Sequence, residues 1–186
     1  MNISEATIPG VLIIEPDVFR DKRGTFLETW QLKRYQKAGI PAEFLQDNVS
    51  ISKKGTLRGL HYQHPHGQGK LVQVLSGSVF DVAVDIRLGS PTFGKSHSEP
   101  LSDSNHKQLY IPPGFAHGFC VLSDTAIFSY KCTEYYDDSA EAGVAWNDPD
   151  LKINWPIQKP LLSKKDEAFS RLKDIPRESL PHYKET

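Results

Sequence analysis

The chain has 186 residues, of which 38% are hydrophobic and 24% charged, and its formal net charge is −1. A near-neutral chain has no overall basic field, which argues against nucleic-acid or membrane-surface binding and limits any anion site to a local cluster. No apolar run approaches the roughly 18 residues that a membrane helix needs, and the N-terminus lacks the features of a signal peptide. Two cysteines, Cys120 and Cys132, are too few for a disulfide framework, so we expect reduced thiols in a cytoplasmic protein.

The first 43 residues alternate short apolar runs with turn signals. Residues 11–14 predict a strand, and residues 25–30 predict a second strand after the turn at 21–24. Residues 31–38 are rich in helix formers and stop at Gly39-Ile40-Pro41, which predicts a short helix.

From residue 44 onward the pattern is that of short strands separated by Gly-, Pro- and Ser-rich turns. The predicted strands are 44–51, 57–62, 70–75, 78–87, 95–101, 108–111, 117–121 and 125–133. Such a series without intervening helices is typical of an antiparallel sandwich or barrel. Residues 161–173 are polar and helix-compatible. We therefore predict one mainly β domain over residues 1–186, with a core at about 44–133, a few short peripheral helices and a C-terminal appendage at about 156–186.

Residues 57–72 combine groups that suit an anionic substrate whose protons must be moved. Arg58 supplies a fixed cation, His61 an imidazole base, and Lys70 an ammonium at the start of an apolar strand. A regular strand would place Arg58 and His61 on opposite faces, so we hypothesise a bulge at Gly59 that brings both to one pocket. The alternative for His61 is a core histidine that is hydrogen-bonded to a backbone carbonyl.

Two histidine motifs resemble those of the cupin superfamily of small β-barrels: His64-Pro65-His66, and the Pro-x-Gly-x-x-His pattern that ends at His117. Metal-binding cupins place a carboxylate after the His-x-His pair, where this chain has Lys70. An ammonium repels a divalent cation, and a hard metal would lack its anionic ligand. We therefore expect no metal and interpret His64 and His66 as surface residues. The alternative is a metal-dependent cupin oxidoreductase.

Taken together, the motifs closely resemble the dTDP-4-dehydrorhamnose 3,5-epimerase family, whose fold is a cupin-type jelly roll. The matching blocks run in order along most of the chain and include Asp21-x-Arg23-Gly24-x-Phe26-x-Glu28, Gln46-x-Asn48, Leu57-Arg58-Gly59-Leu60-His61-Tyr62-Gln63, Gln68-Gly69-Lys70-Leu71, Tyr130-Lys131-Cys132-Thr133-x-Tyr135-Tyr136 and Leu162-Ser163-x-Lys165-Asp166.

The resemblance implies a reaction, a substrate and a partner. The family inverts C3 and C5 of a dTDP-linked 4-keto-6-deoxyhexose in dTDP-L-rhamnose biosynthesis, without a redox cofactor or a metal. Both carbons flank the C4 ketone, so each can lose a proton to form an enolate and regain one on the opposite face. Such chemistry needs a base, an acid and positive charge at the developing oxyanion. The family is a homodimer that shares strands between subunits.

The resemblance also assigns roles residue by residue. It implies that His61 is the base, that Asp166 orients it, that Tyr130 donates the proton across the ring, and that Lys70 stabilises the enolate. Arg23 and Arg58 correspond to diphosphate contacts, which suits their guanidinium forks. The remaining implied substrate contacts are Phe26, Glu28, Gln46, Asn48, His117, Tyr136, Glu141 and Lys165. Some of the contacts at 23–28 are expected to serve the neighbouring subunit's site.

Without the resemblance, several of these residues have ordinary interpretations. Arg23 would be a solvated turn charge, Gln46 and Asn48 polar strand positions, and Tyr130 a structural tyrosine. Two functional alternatives also stand: a single-site epimerase of a related nucleotide-linked keto sugar, and a non-catalytic sugar-nucleotide binder. The chain departs from the family at 167–170, which lacks an expected proline, so we expect a different cover over the site.

Overall fold

The computed structural model describes residues 1–40 and 43–183. In chain order its strands are β1 (Asn2–Glu5), β2 (Leu12–Glu15), β3 (Val18–Asp21), β4 (Gly24–Leu27), β5 (Gln46–Lys53), β6 (Leu57–Gln63), β7 (Lys70–Ser76), β8 (Ser78–Asp85), β9 (Ser96–Ser102), β10 (Gln108–Ile111), β11 (Phe115–Val121), β12 (Thr125–Cys132) and β13 (Glu141–Gly143). Its α-helices are α1 (Leu32–Lys37) and α2 (Lys164–Glu167), and short 3₁₀ turns lie at Pro149–Leu151, Leu172–Asp174 and Arg177–Ser179. The predicted mainly β class with short peripheral helices is confirmed.

The strands form two antiparallel sheets and a separate hairpin. Among the described strands, one sheet has the order β1-β2-β10-β7-β12-β5 and the other the order β13-β6-β11-β8-β9, while β3 pairs with β4. Strands that are distant in sequence, such as β7 and β12, are neighbours in the sheet. This strand order is typical of a jelly roll, in which two sheets close around one core. β1 and β2 lie outside the predicted core range of 44–133 and still complete the first sheet.

The main hydrophobic core lies between the two sheets. Val72 and Phe128 come from the first sheet, and Ala83 and Phe119 come from the second. The rings of Phe119 and Phe128 stack with centroids 4.0 Å apart. Alternation along each strand sends these side chains inward, and the same rule places Asp81 and Asp85 on the inward face of β8, where both are fully buried.

The outer faces of both sheets are covered by the chain's peripheral segments. Leu172 and Leu180 of the C-terminal region pack on the second sheet against Val82 and Leu60. Helix α1 covers the first sheet with Tyr35, whose hydroxyl donates to Gln108 Oε1 at 2.8 Å. Among the residues that the structure describes, no helix is both long and apolar enough to cross a membrane.

The prediction for α1 is confirmed. Gln31 caps its first turn by accepting from the Arg34 amide at 2.7 Å, and Gly39 follows its end with φ +85°, a backbone conformation that favours glycine. Pro41 of the predicted stop signal lies outside the described residues.

Residues 161–173 are helix-compatible in sequence but form an α-helix over only a short part of their length. Only Lys164–Glu167 is α-helical, with Ser163 as its cap. The helix ends because the chain after Glu167 is held by other contacts: the Ser170 carbonyl accepts from the Ala145 amide at 2.8 Å. Tertiary contacts override helix propensity here.

Candidate active site

A bulge in β6 positions the first two candidate residues. His61 pairs with His117 and Arg58 with Phe119, so two residues of β6 oppose one residue of β11 between these pairs. Gly59 lies in the bulge with φ +125°, and a Cβ there would come within 2.5 Å of the Gly118 Cα. The hypothesis of a bulge at Gly59 is therefore confirmed, and Arg58 and His61 line one cavity.

That cavity is one of two adjoining spaces of about 230 Å³ each. Both are lined by His61, Lys70, Tyr130 and Glu141. The first is also lined by Gln46, Asn48, Tyr62, Gln63, Gln68 and Tyr136. The second is also lined by Ser50, Arg58, His117, Phe119 and Phe128. The fold thus brings most of the predicted site residues together from both sheets.

His61 is hydrogen-bonded to a carboxylate. Its Nε2 lies 2.6 Å from Asp166 Oδ1, and because an ionised carboxylate only accepts, Nε2 carries the hydrogen and the lone pair of the neutral ring is on Nδ1. The alternative, in which His61 is a core histidine bonded to a backbone carbonyl, is wrong for Nε2, because the partner of this nitrogen is the Asp166 carboxylate. Burial opposes ionisation of Asp166, but the hydrogen bond and charge of His61 hold the pKa of this carboxyl below its usual value.

Lys70 and Tyr130 face the same space from neighbouring strands β7 and β12. Burial lowers the pKa of Lys70, with partial opposition from Cys132, Glu141 and Asp81. Burial raises the pKa of Tyr130, and the nearby Arg58 charge partly counters this. The tyrosine is therefore a protonated donor at neutral pH, and the ammonium lies in surroundings that hydrate it poorly.

Glu141 links the cavity to its rim. It accepts from the Tyr136 hydroxyl at 2.5 Å and forms an ion pair with Lys165. Burial works against its ionisation, but these two partners lower the pKa of Glu141 overall, and the same hydrogen bond raises the pKa of Tyr136 to about 12. Gln46 also belongs to this rim, since its Oε1 accepts from the Tyr136 amide at 2.9 Å.

His117 faces the second cavity with a partner of its own. Its Nε2 donates to both carboxylate oxygens of Asp81, at 3.0 and 3.1 Å. Arg58 lines the same cavity, and its Nε donates to Ser52 Oγ at 3.2 Å. The Arg58 guanidinium at this end of the site suits a phosphate group.

Three predicted substrate contacts lie apart from these cavities in the described chain. Arg23 is 84% exposed and pairs with Asp21, Phe26 is 70% exposed, and Glu28 pairs with Arg34. They belong to the β3–β4 hairpin and the residue after it, and the hairpin encloses a separate open pocket of about 450 Å³.

Several residues of the site escaped the sequence analysis. Gln63 and Gln68 line the first cavity, Asp81 holds His117, and Phe169 packs edge-on against His61 with ring centroids 5.7 Å apart. No local sequence pattern links Asp81 to His117, because the two residues lie on different strands.

The other expectations concern thiols and metals. Cys120 and Cys132 are buried and unpaired, which confirms the prediction of free thiols. His66 is exposed and His64 half-buried. Within residues 1–40 and 43–183, no three His, Cys, Asp or Glu side chains cluster as a metal site would require.

Comparison with known proteins identifies relatives over most of the chain. The family model described as dTDP-4-dehydrorhamnose 3,5-epimerase matches residues 5–174. The dTDP-4-dehydrorhamnose 3,5-epimerase of Shigella flexneri is 56% identical over 168 residues, which are 89% of this chain and 93% of the relative. The dTDP-4-dehydrorhamnose 3-epimerase of Streptomyces niveus is 41% identical over 169 residues, which are 90% of this chain and 82% of the relative.

Among solved structures, the dTDP-6-deoxy-D-glucose-3,5-epimerase of Legionella pneumophila superposes with a TM-score of 0.96 and 53% identity. The alignment covers 99% of each chain. That crystal structure contains dTDP-4-keto-L-rhamnose, so a protein with nearly the same backbone binds a dTDP-linked keto sugar.

Proposed function

Because the chain belongs to the dTDP-4-dehydrorhamnose 3,5-epimerase family, we propose that it converts dTDP-4-keto-6-deoxy-D-glucose into dTDP-4-keto-L-rhamnose by inverting C3 and C5. The observation that carries this proposal is the shared cavity of His61, Tyr130 and Lys70, with Asp166 bound to His61. A base, an acid and a cation in one space are what a proton exchange next to a ketone requires.

Each inversion proceeds in two proton transfers. His61 removes the hydrogen from the carbon next to the C4 ketone, the electron pair moves to the ketone oxygen, and the enolate forms opposite the Lys70 ammonium. Tyr130 then donates a proton to the other face of the same carbon, and the ketone is restored. Asp166 supports the imidazolium that His61 becomes in between. Before the second carbon reacts, the His61 imidazolium releases its proton to solvent and the Tyr130 phenolate takes one up, so both groups return to their starting states.

The nucleotide end of the substrate occupies the second cavity. Arg58 lines it and binds the diphosphate, because a guanidinium fork suits phosphate oxygens. His117 lines the same cavity and contacts the substrate there. Gln46, Asn48, Tyr136, Glu141 and Lys165 contact the sugar or nucleotide from the rim of the first cavity.

We further propose a homodimer in which the β3–β4 hairpin completes the partner's site. The hairpin pairs only with itself among the described strands and exposes Phe19 by 61% and Phe26 by 70%. Exposed apolar patches of this kind are typical of interfaces, and the two rings would bring Arg23 and Glu28 with them.

Mixing two inactive variants tests this arrangement. A dimer of one Arg23→Ala subunit and one His61→Ala subunit contains one intact site if the hairpin acts across the interface, and none if it acts within its own chain. We expect the mixture to regain activity that neither variant has alone. A mixture that stays inactive despite measured subunit exchange would contradict the shared site.

Proton NMR in D₂O tests the reaction. The chain is incubated with dTDP-4-keto-6-deoxy-D-glucose, and a rhamnose-forming reductase traps the product. Loss of signal at both C3 and C5 with trapped L-lyxo product is expected, and the His61→Ala variant serves as the control. No exchange at either carbon would overturn the proposed activity.

The second candidate is a single-site epimerase. A relative at 41% identity is a dTDP-4-dehydrorhamnose 3-epimerase, so similar chains support inversion of one carbon. Exchange at C3 alone in the same experiment would establish this reading instead.

A further inference from the structure

Residues 163–170 form a strap that crosses β6 and β13 beside the candidate base. Ser163 Oγ accepts from the Asp166 amide at 3.1 Å and starts α2, and after α2 ends the chain places Phe169 edge-on against the ring of His61. We infer that Phe169, seated on Gly143, is a positioning residue that sets the Asp166 carboxylate against His61. The effect of Phe169 on catalysis rests on the proposed function, whereas its contacts with Gly143 and His61 are independent of that function.

Gly143 leaves room for the Phe169 ring because it has no side chain. A Cβ at this position would lie 2.3 Å from Cε2 and 2.4 Å from Cζ of Phe169, which is far inside van der Waals contact. Gly143 is also the direct partner of His61 across the β13–β6 pair. Its backbone is not among the positive-φ glycines, so space for the ring, and not backbone freedom, is what the glycine provides.

Two further contacts attach the strap to the same short stretch of chain. Lys165, which precedes Asp166, forms an ion pair with Glu141. Ser170, which follows Phe169, accepts a hydrogen bond from the Ala145 amide at 2.8 Å. Asp166 is therefore fixed from both sides by residues 141–145, of which 141–144 are hydrogen-bonded to or paired with β6.

The arrangement also shields the His61–Asp166 hydrogen bond from water. Asp166 is only 5% exposed, and the Phe169 ring covers the imidazole from the side at an interplanar angle of 75°. A hydrogen bond in such surroundings is electrostatically stronger than one in water. Displacing the ring would both move the carboxylate and admit water to the pair.

Residues 167–170 of the strap are those for which we expected a different cover over the site, and Phe169 makes the contact with His61 there. Phe169 and Gly143 should accordingly behave as a coupled pair, because each has a role only when the other is present.

The test compares Gly143→Ala, Phe169→Ala, the double variant and a control, Phe93→Ala, whose exposed ring lies outside the site cavities. The readout without substrate is the downfield proton resonance of the His61 imidazole N–H, assigned by its absence in His61→Asn. We expect this resonance to shift or broaden away in both single variants and to persist in the control.

The kinetic readout separates positioning from binding. We expect kcat to fall by about 10- to 100-fold in each single variant, the size of effect that a misplacement of about 1 Å produces, with KM for the nucleotide sugar nearly unchanged. The double variant should be no worse than Phe169→Ala, because the added methyl then meets no ring. Phe169→Leu, which keeps much of the apolar volume, should lose less than Phe169→Ala and replaces it if the latter does not fold.

Unchanged resonance and kcat in both single variants would overturn the inference, and so would losses that add in the double variant. If wild-type chain showed no exchange with the proposed substrate, the proposed function would fail while the resonance measurement still decided the positioning role.

Discussion

Lys70 and Cys132 are direct partners across the β7–β12 pair. Partners in this position have their side chains on one face of the sheet, so the Lys70 side chain lies beside a thiol, while the carboxylates of Glu141 and Asp81 only partly offset the effect of burial on its pKa. Cys132 is 1% exposed, and burial raises the pKa of its thiol, which keeps it neutral. Lys70 is half-buried and lines both cavities, and a poorly hydrated cation of this kind lowers the stability of the fold, as functional groups often do.

Replacing Lys70 with methionine should therefore separate activity from stability. We expect epimerase activity to fall by at least about 10²-fold, since the enolate loses its charge partner. We expect the free energy of unfolding at pH 7 to rise by about 1 kcal/mol, because a poorly hydrated ammonium is removed. Thermal unfolding and the D₂O exchange assay measure the two effects, and Lys95→Met, on an exposed lysine, is the control.

The stabilising effect of Lys70→Met should depend on pH in a defined direction. The folded pKa of Lys70 is lowered, so the charged lysine destabilises the fold fully below that pKa, and the penalty disappears as the pH rises toward the unfolded value of about 10.4. Wild type and variant should converge in stability at alkaline pH. A stability difference that grows with pH would contradict the poor hydration of the folded ammonium.

His61→Ala should abolish hydrogen exchange at both carbons. One base serves both inversions in the proposed mechanism, and a single acid–base group contributes about 10²–10⁴ in rate. Deuterium incorporation from D₂O, followed separately at C3 and C5, is the measurement. Near-normal exchange at either carbon would show that another group removes that hydrogen.

Tyr130→Phe should uncouple exchange from product formation. Proton removal precedes donation, so the variant should still incorporate deuterium from solvent while forming little product of inverted configuration. NMR exchange and reductase trapping, run on the same sample, give the two rates. Equal loss of both would mean that Tyr130 does not act as the donor on the second face.

Asp166→Asn should weaken the fold near neutral pH and much less in acid. The folded pKa of Asp166 is lowered, so its stabilisation is complete above the unfolded pKa of about 3.9 and is lost as the pH falls through the lower, folded value. The asparagine Oδ1 can still accept from His61 Nε2, but the hydrogen bond loses its charge assistance, which predicts a decrease of about 1 kcal/mol in the free energy of unfolding at pH 7. Urea unfolding at pH 7 and in acid measures this, with Asp150→Asn, from the exposed pair with Lys173, as the control.

The sequence was most informative where one side of each strand is buried. All eight strands predicted between residues 44 and 133 are present, because alternation and Gly/Pro turns mark strands of this kind clearly. β13 was missed, since Glu141-Ala142-Gly143 carries neither β-branched nor aromatic residues. The helix-compatible pattern of residues 161–173 yields only a short helix, because Phe169 packs on Gly143, a contact that no local pattern encodes.

The site shows the same division. The bulge at Gly59 could be predicted from the strand pattern alone, because a regular strand would place Arg58 and His61 on opposite faces of the sheet. His61 and Asp166 are 105 residues apart in sequence. Their pairing was predicted from the family resemblance and could not be predicted from spacing. The seat of Phe169 on Gly143 depends on the three-dimensional packing of two segments, so it became visible only in the structure.

The position of each side chain in its sheet also determines how freely it can change. His61 has neighbours on both sides, His117 on β11 and Gly143 on β13, so its place is fixed by backbone pairing. Gln46 lies on the edge strand β5, and Tyr136 lies in a loop and is 53% exposed. Mutation at these rim positions disturbs fewer neighbours than mutation at the centre. Descendants of such a chain can therefore acquire new sugar-nucleotide preferences in single steps while inheriting the proton chemistry intact.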